Sequence, residues 1–127
     1  MAFTPALAQS YWFHTYERVA AMINSGRMAE AAPLLEELIQ EHPYPIACLK
    51  VPGDRCIDYL PYFQRARLQI HNGDVRGAAH SLDISEAFGA VLQNRRTERE
   101  LLNLRRRIRS MAPAESPGPF PAPTWKP

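Results

Sequence analysis

One stretch of this chain is written twice. Tyr16–Gly26 and Phe63–Gly73 match in outline: Tyr16 with Phe63, Arg18 with Arg65, Ile23 with Ile70, and Gly26 with Gly73. Each copy runs on to an alanine pair, Ala31-Ala32 and Ala78-Ala79, and then to Leu35 or Leu82, always 47 residues apart. A recurrence of this length marks one supersecondary unit used twice, and such a unit cannot bury its apolar face alone. Two copies are therefore expected to stack. A stack of helical repeats is a binding scaffold more readily than a catalyst.

The spacing inside each copy is helical. Thr4-Pro5 predicts a helix start, with Thr4 as N-cap. Trp12, Tyr16, Val19 and Ile23 follow at steps of four, three and four, widened by Leu7, Phe13 and Ala20. Gly26 suits a left-handed cap. A second helix is predicted over about Met28–Glu41, burying Ala31, Leu34, Leu35, Leu38 and Ile39. Pro33 lies beyond its first turn, which predicts a kink there or a later start. His42-Pro43-Tyr44-Pro45 ends the helix, because proline disfavours helical geometry in the residue before it. Residues 44–57 are predicted as a long loop that doubles back at Pro52-Gly53, the central pair of a type II turn. A loop of that length inside a compact unit is often functional.

Asp58 is expected to cap a third helix that turns Tyr59, Tyr62, Phe63, Ala66 and Ile70 inward. Asp74 caps a fourth, carrying Val75, Ala78, Ala79, Leu82 and Phe88, with Gly89 as its stop. Thr97 and Glu100 read as a capping box for a fifth, with Leu101, Leu104 and Ile108 as its seam. Six of the chain's 12 prolines follow Met111, which predicts an extended, disordered tail. The fold class is all-α: two stacked helix-turn-helix hairpins plus a C-terminal capping helix, in the manner of an α-solenoid. Repeat 1 covers about 11–43, the inserted loop 44–57, repeat 2 about 58–90 and the capping helix 97–110. This makes a helical domain over 1–110 with a Pro-rich tail over 111–127.

Gly26, Ala31, Leu35 and Pro43 in the first copy, and Gly73, Ala78 and Leu82 in the second, resemble the tetratricopeptide repeat. Ala90 stands where that family has proline, Arg18 and Arg65 where it usually has leucine, and Gln69 where an aromatic is usual. The 47-residue step exceeds the family's 34 because residues 44–57 are inserted. The resemblance covers roughly residues 11–90 and implies paired antiparallel helices, the first of each pair lining a concave groove. It carries the groove-facing positions onto Phe13, Tyr16, Ala20, Ile23 and Asn24, and onto Leu60, Phe63, Arg67, Ile70 and His71. On that reading aromatic anchors sit inside a polar lip of Asn24, Arg67 and His71. The alternative is that Tyr16, Phe63, Ile23 and Ile70 are simply core, or a dimer contact. Two repeats make a short groove, which a second protomer could extend.

The net charge of +2 hides an asymmetry. Residues 1–94 sum to −3, whereas 95–109 hold seven arginines against two glutamates, a net of +5. Arg95, Arg96, Arg99, Arg105, Arg106, Arg107 and Arg109 could meet nucleic acid or anionic lipid. Yet Arg105, Arg106 and Arg107 point three ways around a helix, and no aromatic is interleaved for base stacking. A solvated capping helix is the plain alternative.

Cys48 and Cys56 flank the Pro52-Gly53 turn. A folded-back loop would allow a disulfide, but a cytoplasmic setting favours two free thiols. Zinc binding with His42 would need a fourth ligand. No apolar run approaches the roughly 20 residues that cross a bilayer, and Met1–Gln9 lack the pattern of a signal peptide, so cytoplasm is the default expectation. His14, His42, His71 and His80 have no recurring nucleophile or carboxylate partner, and no phosphate loop, HExxH or nucleophile elbow is present. The expectation is a non-catalytic adaptor without cofactor, binding a protein partner in a shallow groove. A nucleic-acid-associated regulator using the arginine-rich helix is the alternative. The Pro-rich tail runs to Lys126-Pro127 with no folded element expected in it, which leaves open whether this is the N-terminal part of something larger.

Overall fold

The computed structural model describes residues 12–111. The expected Thr4 cap, Leu7 and the Pro-rich segment beyond Met111 lie outside the described residues.

The same turn closes both copies of the repeat. After helix α1 (Trp12–Asn24), Arg27 N–H donates to Met22 O at 2.8 Å and Gly26 N–H to Ile23 O at 3.1 Å. After helix α3 (Pro61–His71), Asp74 N–H donates to Gln69 O at 2.8 Å and Gly73 N–H to Ile70 O at 3.0 Å. These paired bonds satisfy the last helical carbonyls and require a left-handed residue between them. Gly26 and Gly73 supply it, at φ +85° and +81°. Each turn delivers the chain at once into a second helix, α2 (Met28–Glu41) or α4 (Val75–Phe88), which folds back on the first.

Equivalent positions of the two copies are buried: Tyr16 and Phe63, Val19 and Ala66, Ile23 and Ile70, Ala31 and Ala78, Leu35 and Leu82. They build two cores that meet at α3. Tyr62 and Leu68 join the core of α1 and α2, around Tyr16, Val19, Ile23, Leu35 and Leu38. Phe63, Ala66 and Ile70, on the other side of α3, join α4, the short 3-10 turn Ala90–Leu92 and helix α5 (Arg95–Met111) through Leu82, Val91, Leu101 and Leu104. Two of the residues that depart from the tetratricopeptide pattern have partners in the structure. Arg65 pairs with Glu36 across α2 and α3 at 2.7 Å, and Gln69 Oε1 accepts from Ser81 Oγ at 2.6 Å.

The fold is mostly helical, but it is not all-α. Residues 44–57, expected to be a loop, contain most of an antiparallel β-hairpin of β1 (Ile46–Val51) and β2 (Arg55–Tyr59). The strands are joined through Pro52, Gly53 and Asp54, with Gly53 at φ +94° and Asp54 at +55°. Between Ile46 and Leu49 the register slips by one residue, and Cys48 takes φ +54°. This is a bulge, which leaves one amide out of the ladder and re-aims a side chain. Asp58 Oδ1 accepts the Cys48 N–H at 2.9 Å.

That contact explains a second correction. Asp58 does not cap the third helix, because its carboxylate is engaged at the bulge; α3 starts at Pro61, with Leu60 as an N-cap that offers no side-chain bond. A third correction concerns the cysteines. The hairpin brings Cys48 and Cys56 to 4.8 Å between Cα atoms, and they form a disulfide in place of the two free thiols expected. Their sulfurs are therefore not available to zinc, and His42 stacks on Trp12 with ring centroids 4.0 Å apart.

Two smaller points concern helix starts. Helix α2 keeps its expected bounds, Met28–Glu41, with Pro33 inside it, so the alternative of a later start does not hold. Helix α5 begins before Thr97: Asn94 Oδ1 accepts from Arg96 N–H at 2.7 Å, while the Thr97 hydroxyl donates to Val91 O at 2.6 Å and binds no helical amide. No helix among the described residues is long and apolar enough to cross a membrane.

Replacing both cysteines by serine is expected to remove about 2.5 kcal/mol, the loop-closure value for a crosslink of this short span; urea unfolding of the oxidised protein beside the double variant measures it. Ser85 is fully buried, and its hydroxyl has no hydrogen-bond partner among the described residues. Ser85→Ala should therefore raise stability by about 1 kcal/mol. A drop in the same titration would reveal a partner for that hydroxyl.

Candidate functional site

Three helices frame a groove of about 460 Å³. Ala20 and Asn24 come from α1, and Phe63, Gln64 and Arg67 from α3. The far wall is α5, through Arg96, Glu100, Asn103, Leu104 and Arg107. A recess of about 90 Å³ adjoins it, sharing Arg67, Leu104 and Arg107 and adding Met28, Ile70 and His71.

The groove is polar at its base because of a hydrogen-bonded line across α1 and α3. Tyr16 Oη accepts from Leu60 N–H at 3.3 Å and from Gln64 Nε2 at 3.2 Å. Gln64 Oε1 in turn accepts from Arg67 Nη1 at 3.1 Å. Burial pushes the Tyr16 phenol above its ordinary pKa, against the hydrogen bonds from Gln64 and Leu60. The guanidinium of Arg67 is thereby held in place by a neutral amide. Burial also depresses the Arg67 pKa; Glu100 opposes that shift and the like charge of Arg107 adds to it. No carboxylate lies within ion-pair distance of either Arg67 or Arg107 among the described residues. The one carboxylate lining the groove, Glu100, is 3.8 Å from Arg96.

The ten positions carried over from the repeat pattern divide cleanly. Phe13, Tyr16, Ile23, Leu60, Phe63 and Ile70 are buried at 2–6% exposure, so they build the protein and are not open anchors. Phe63 and Ile70 still show an edge to the groove or its recess. Ala20, Asn24, Arg67 and His71 are accessible and line the space directly. Asn24, Arg67 and His71 thus lie on the groove or its recess, whereas the aromatic positions are packed as core, the alternative reading of the sequence.

The seven arginines fall into three sets. Arg105 reaches Asp83 at 2.8 Å and also Glu86, tying α5 to α4. Arg96 and Arg107 face the groove, Arg96 lying 3.9 Å from Asp58 as well. Arg95, Arg99, Arg106 and Arg109 are exposed along the outer face, where steps of four, seven and three place them on one side of the helix. Arg106 Nη1 donates to Asn103 Oδ1 at 3.1 Å.

Gln64, Glu100, Asn103 and Leu104 are the site residues the sequence reading missed. The signal for the last three was present. Arg96, Glu100, Asn103 and Arg107 recur at steps of four, three and four, a polar stripe beside the Leu101–Leu104–Ile108 seam. Gln64 gave no such signal, because its role depends on Tyr16, 48 residues away.

Since Phe63 is core, Phe63→Ala should cost about 3–5 kcal/mol and act through stability. Tyr16→Phe should cost about 1–3 kcal/mol by stranding Leu60 N–H and the Gln64 amide. Chemical denaturation of each variant tests both. Comparison with protein-family models, with curated proteins and with solved structures finds no match to this chain.

Proposed function

We propose that the chain is a non-catalytic adaptor of tetratricopeptide-like construction, which holds an extended segment of a protein partner in the groove between α1, α3 and α5. The supporting observation is the groove itself: an open trough whose floor joins core side chains to the Gln64–Arg67 line, with charged and amide groups at its rim. Such a rim confers orientation and specificity, while the packed floor spares the ordering cost of binding. Helix α5 serves as the third wall, so the trough needs no second protomer to be complete.

The alternative, in which the arginine-rich helix meets nucleic acid, has less support. Arg105 is committed to Asp83 and Glu86, and Arg96 and Arg107 turn to the groove. Helix α5 carries no aromatic residue beside the four outer arginines for base stacking. The Cys48–Cys56 disulfide also favours a compartment that leaves thiols oxidised over the cytoplasm expected from composition.

Ala20 lines the groove at a half-buried position of α1, outside both cores. Ala20→Trp should therefore fill the trough, abolish capture of the partner in a pull-down from native extract, and leave the thermal melt within a few degrees of the parent. Undiminished capture by this variant would exclude the groove.

A further inference from the structure

Taking the groove reading as its basis, we infer that the trough binds a phosphomonoester dianion, such as a phosphorylated side chain of the docked segment, between Arg67 and Arg107. Unneutralised guanidinium groups facing one open space are costly to hold together without an anion. Here Arg67 on α3 and Arg107 on α5 both line the groove and its recess, and neither has a carboxylate within ion-pair distance among the described residues. Burial is the main cause of the depressed Arg67 pKa, and the like charge of Arg107 adds to it.

Charge and donor geometry select the ligand. Three arginines against Glu100 leave the lining at a net +2, complementary to a phosphomonoester and in excess of a single carboxylate. A guanidinium offers a planar fork of N–H donors that matches phosphate oxygens in pairs. Gln64 orients the Arg67 fork through its Oε1, leaving the remaining donors of that guanidinium for a ligand. Asn24 and Asn103 add amide groups at the same rim. The exposed arginines of the outer α5 face lack any such enclosure, and they provide the internal control.

The full chain is titrated by calorimetry and by 15N-resolved NMR with three probes: inorganic phosphate, the tripeptide Ala-phosphoserine-Ala, and Ala-Glu-Ala. The phosphotripeptide should bind at least tenfold more tightly than the glutamate tripeptide. Arg67→Gln and Arg107→Gln should each weaken it by tenfold or more. The double variant Arg99→Gln/Arg109→Gln, which removes two charges from the outer ridge, should change affinity by less than twofold. Equal affinity for the two tripeptides would overturn the assignment to phosphate. Equal losses from the groove and ridge variants would reduce the effect to general charge attraction, and overturn the site. Binding of phosphate but not of the phosphotripeptide would overturn a phosphorylated side chain as the ligand. Should no probe bind while Ala20→Trp still abolishes partner capture, the anion site falls and the docking groove stands. Should the phosphotripeptide bind while Ala20→Trp leaves capture untouched, the anion site stands and the docking groove falls.

Discussion

Helix α3 is packed on two sides, and the rest of the molecule follows from that. Tyr62 and Leu68 are packed into one core and Phe63, Ala66 and Ile70 into another. Eleven residues of helix therefore bind two helix pairs into one body. An isolated helix of that length is marginal in water, so α3 persists because both faces are covered. The small Ala66, fully buried, lets α4 approach closely. The need to cover its far face also explains α5, whose Leu101 and Leu104 complete the second core.

This arrangement also accounts for the chemical character of the groove. With two sides of α3 buried and Arg65 and Gln69 paired to α2 and α4, its remaining polar side chains lie along the line that borders the groove. Gln64 and Arg67 occupy that line, three residues apart on one helix. Gln64 is nearly buried and would be costly there without partners. Tyr16 and Arg67 satisfy it on opposite ends. The position of a charged group at the base of the trough is thus a consequence of core packing. It is not an independent feature placed on a finished scaffold.

What the sequence revealed, and what it hid, divides by the range of the interactions. The repeat, the two glycine turns, the Asp74 cap and the helix ends at Asn24, Glu41, His71 and Phe88 depend on residues close in the chain, and were legible. The β-hairpin was not, for a specific reason. Its first strand carries a bulge at Cys48, so the alternation of inward and outward side chains that marks a strand is broken. Asp58 shows the same limit. Its carboxylate does accept a backbone N–H, as a local cap would, but the amide belongs to Cys48, ten residues earlier. Asn24 and Arg67 line the groove, while Tyr16, Phe63, Ile23 and Ile70 are packed in the core, the alternative that the sequence left open because pattern alone cannot separate a groove face from a core face.

The inserted hairpin is more than a surface decoration, because its second strand ends at a junction of α1, α2 and α5. Tyr59 is fully buried; its hydroxyl donates to His42 O at 2.6 Å, satisfying a carbonyl just past α2 that would otherwise lack a partner. Its ring meets Trp12 and Tyr16 edge-on at 4.7 and 5.0 Å. Arg55 reaches Glu17 on α1 at 3.0 Å. One residue before Tyr59, Asp58 faces the opposite way, holding the bulge amide while approaching Asn94 at 3.5 Å and Arg96 at 3.9 Å. The hairpin therefore touches α1, the end of α2 and the start of α5 within a few residues. Since α5 forms the far wall of the groove, the disulfide-closed hairpin helps set how far that wall stands from α1. An insertion that lengthens the repeat thereby becomes the brace for the site the repeats create.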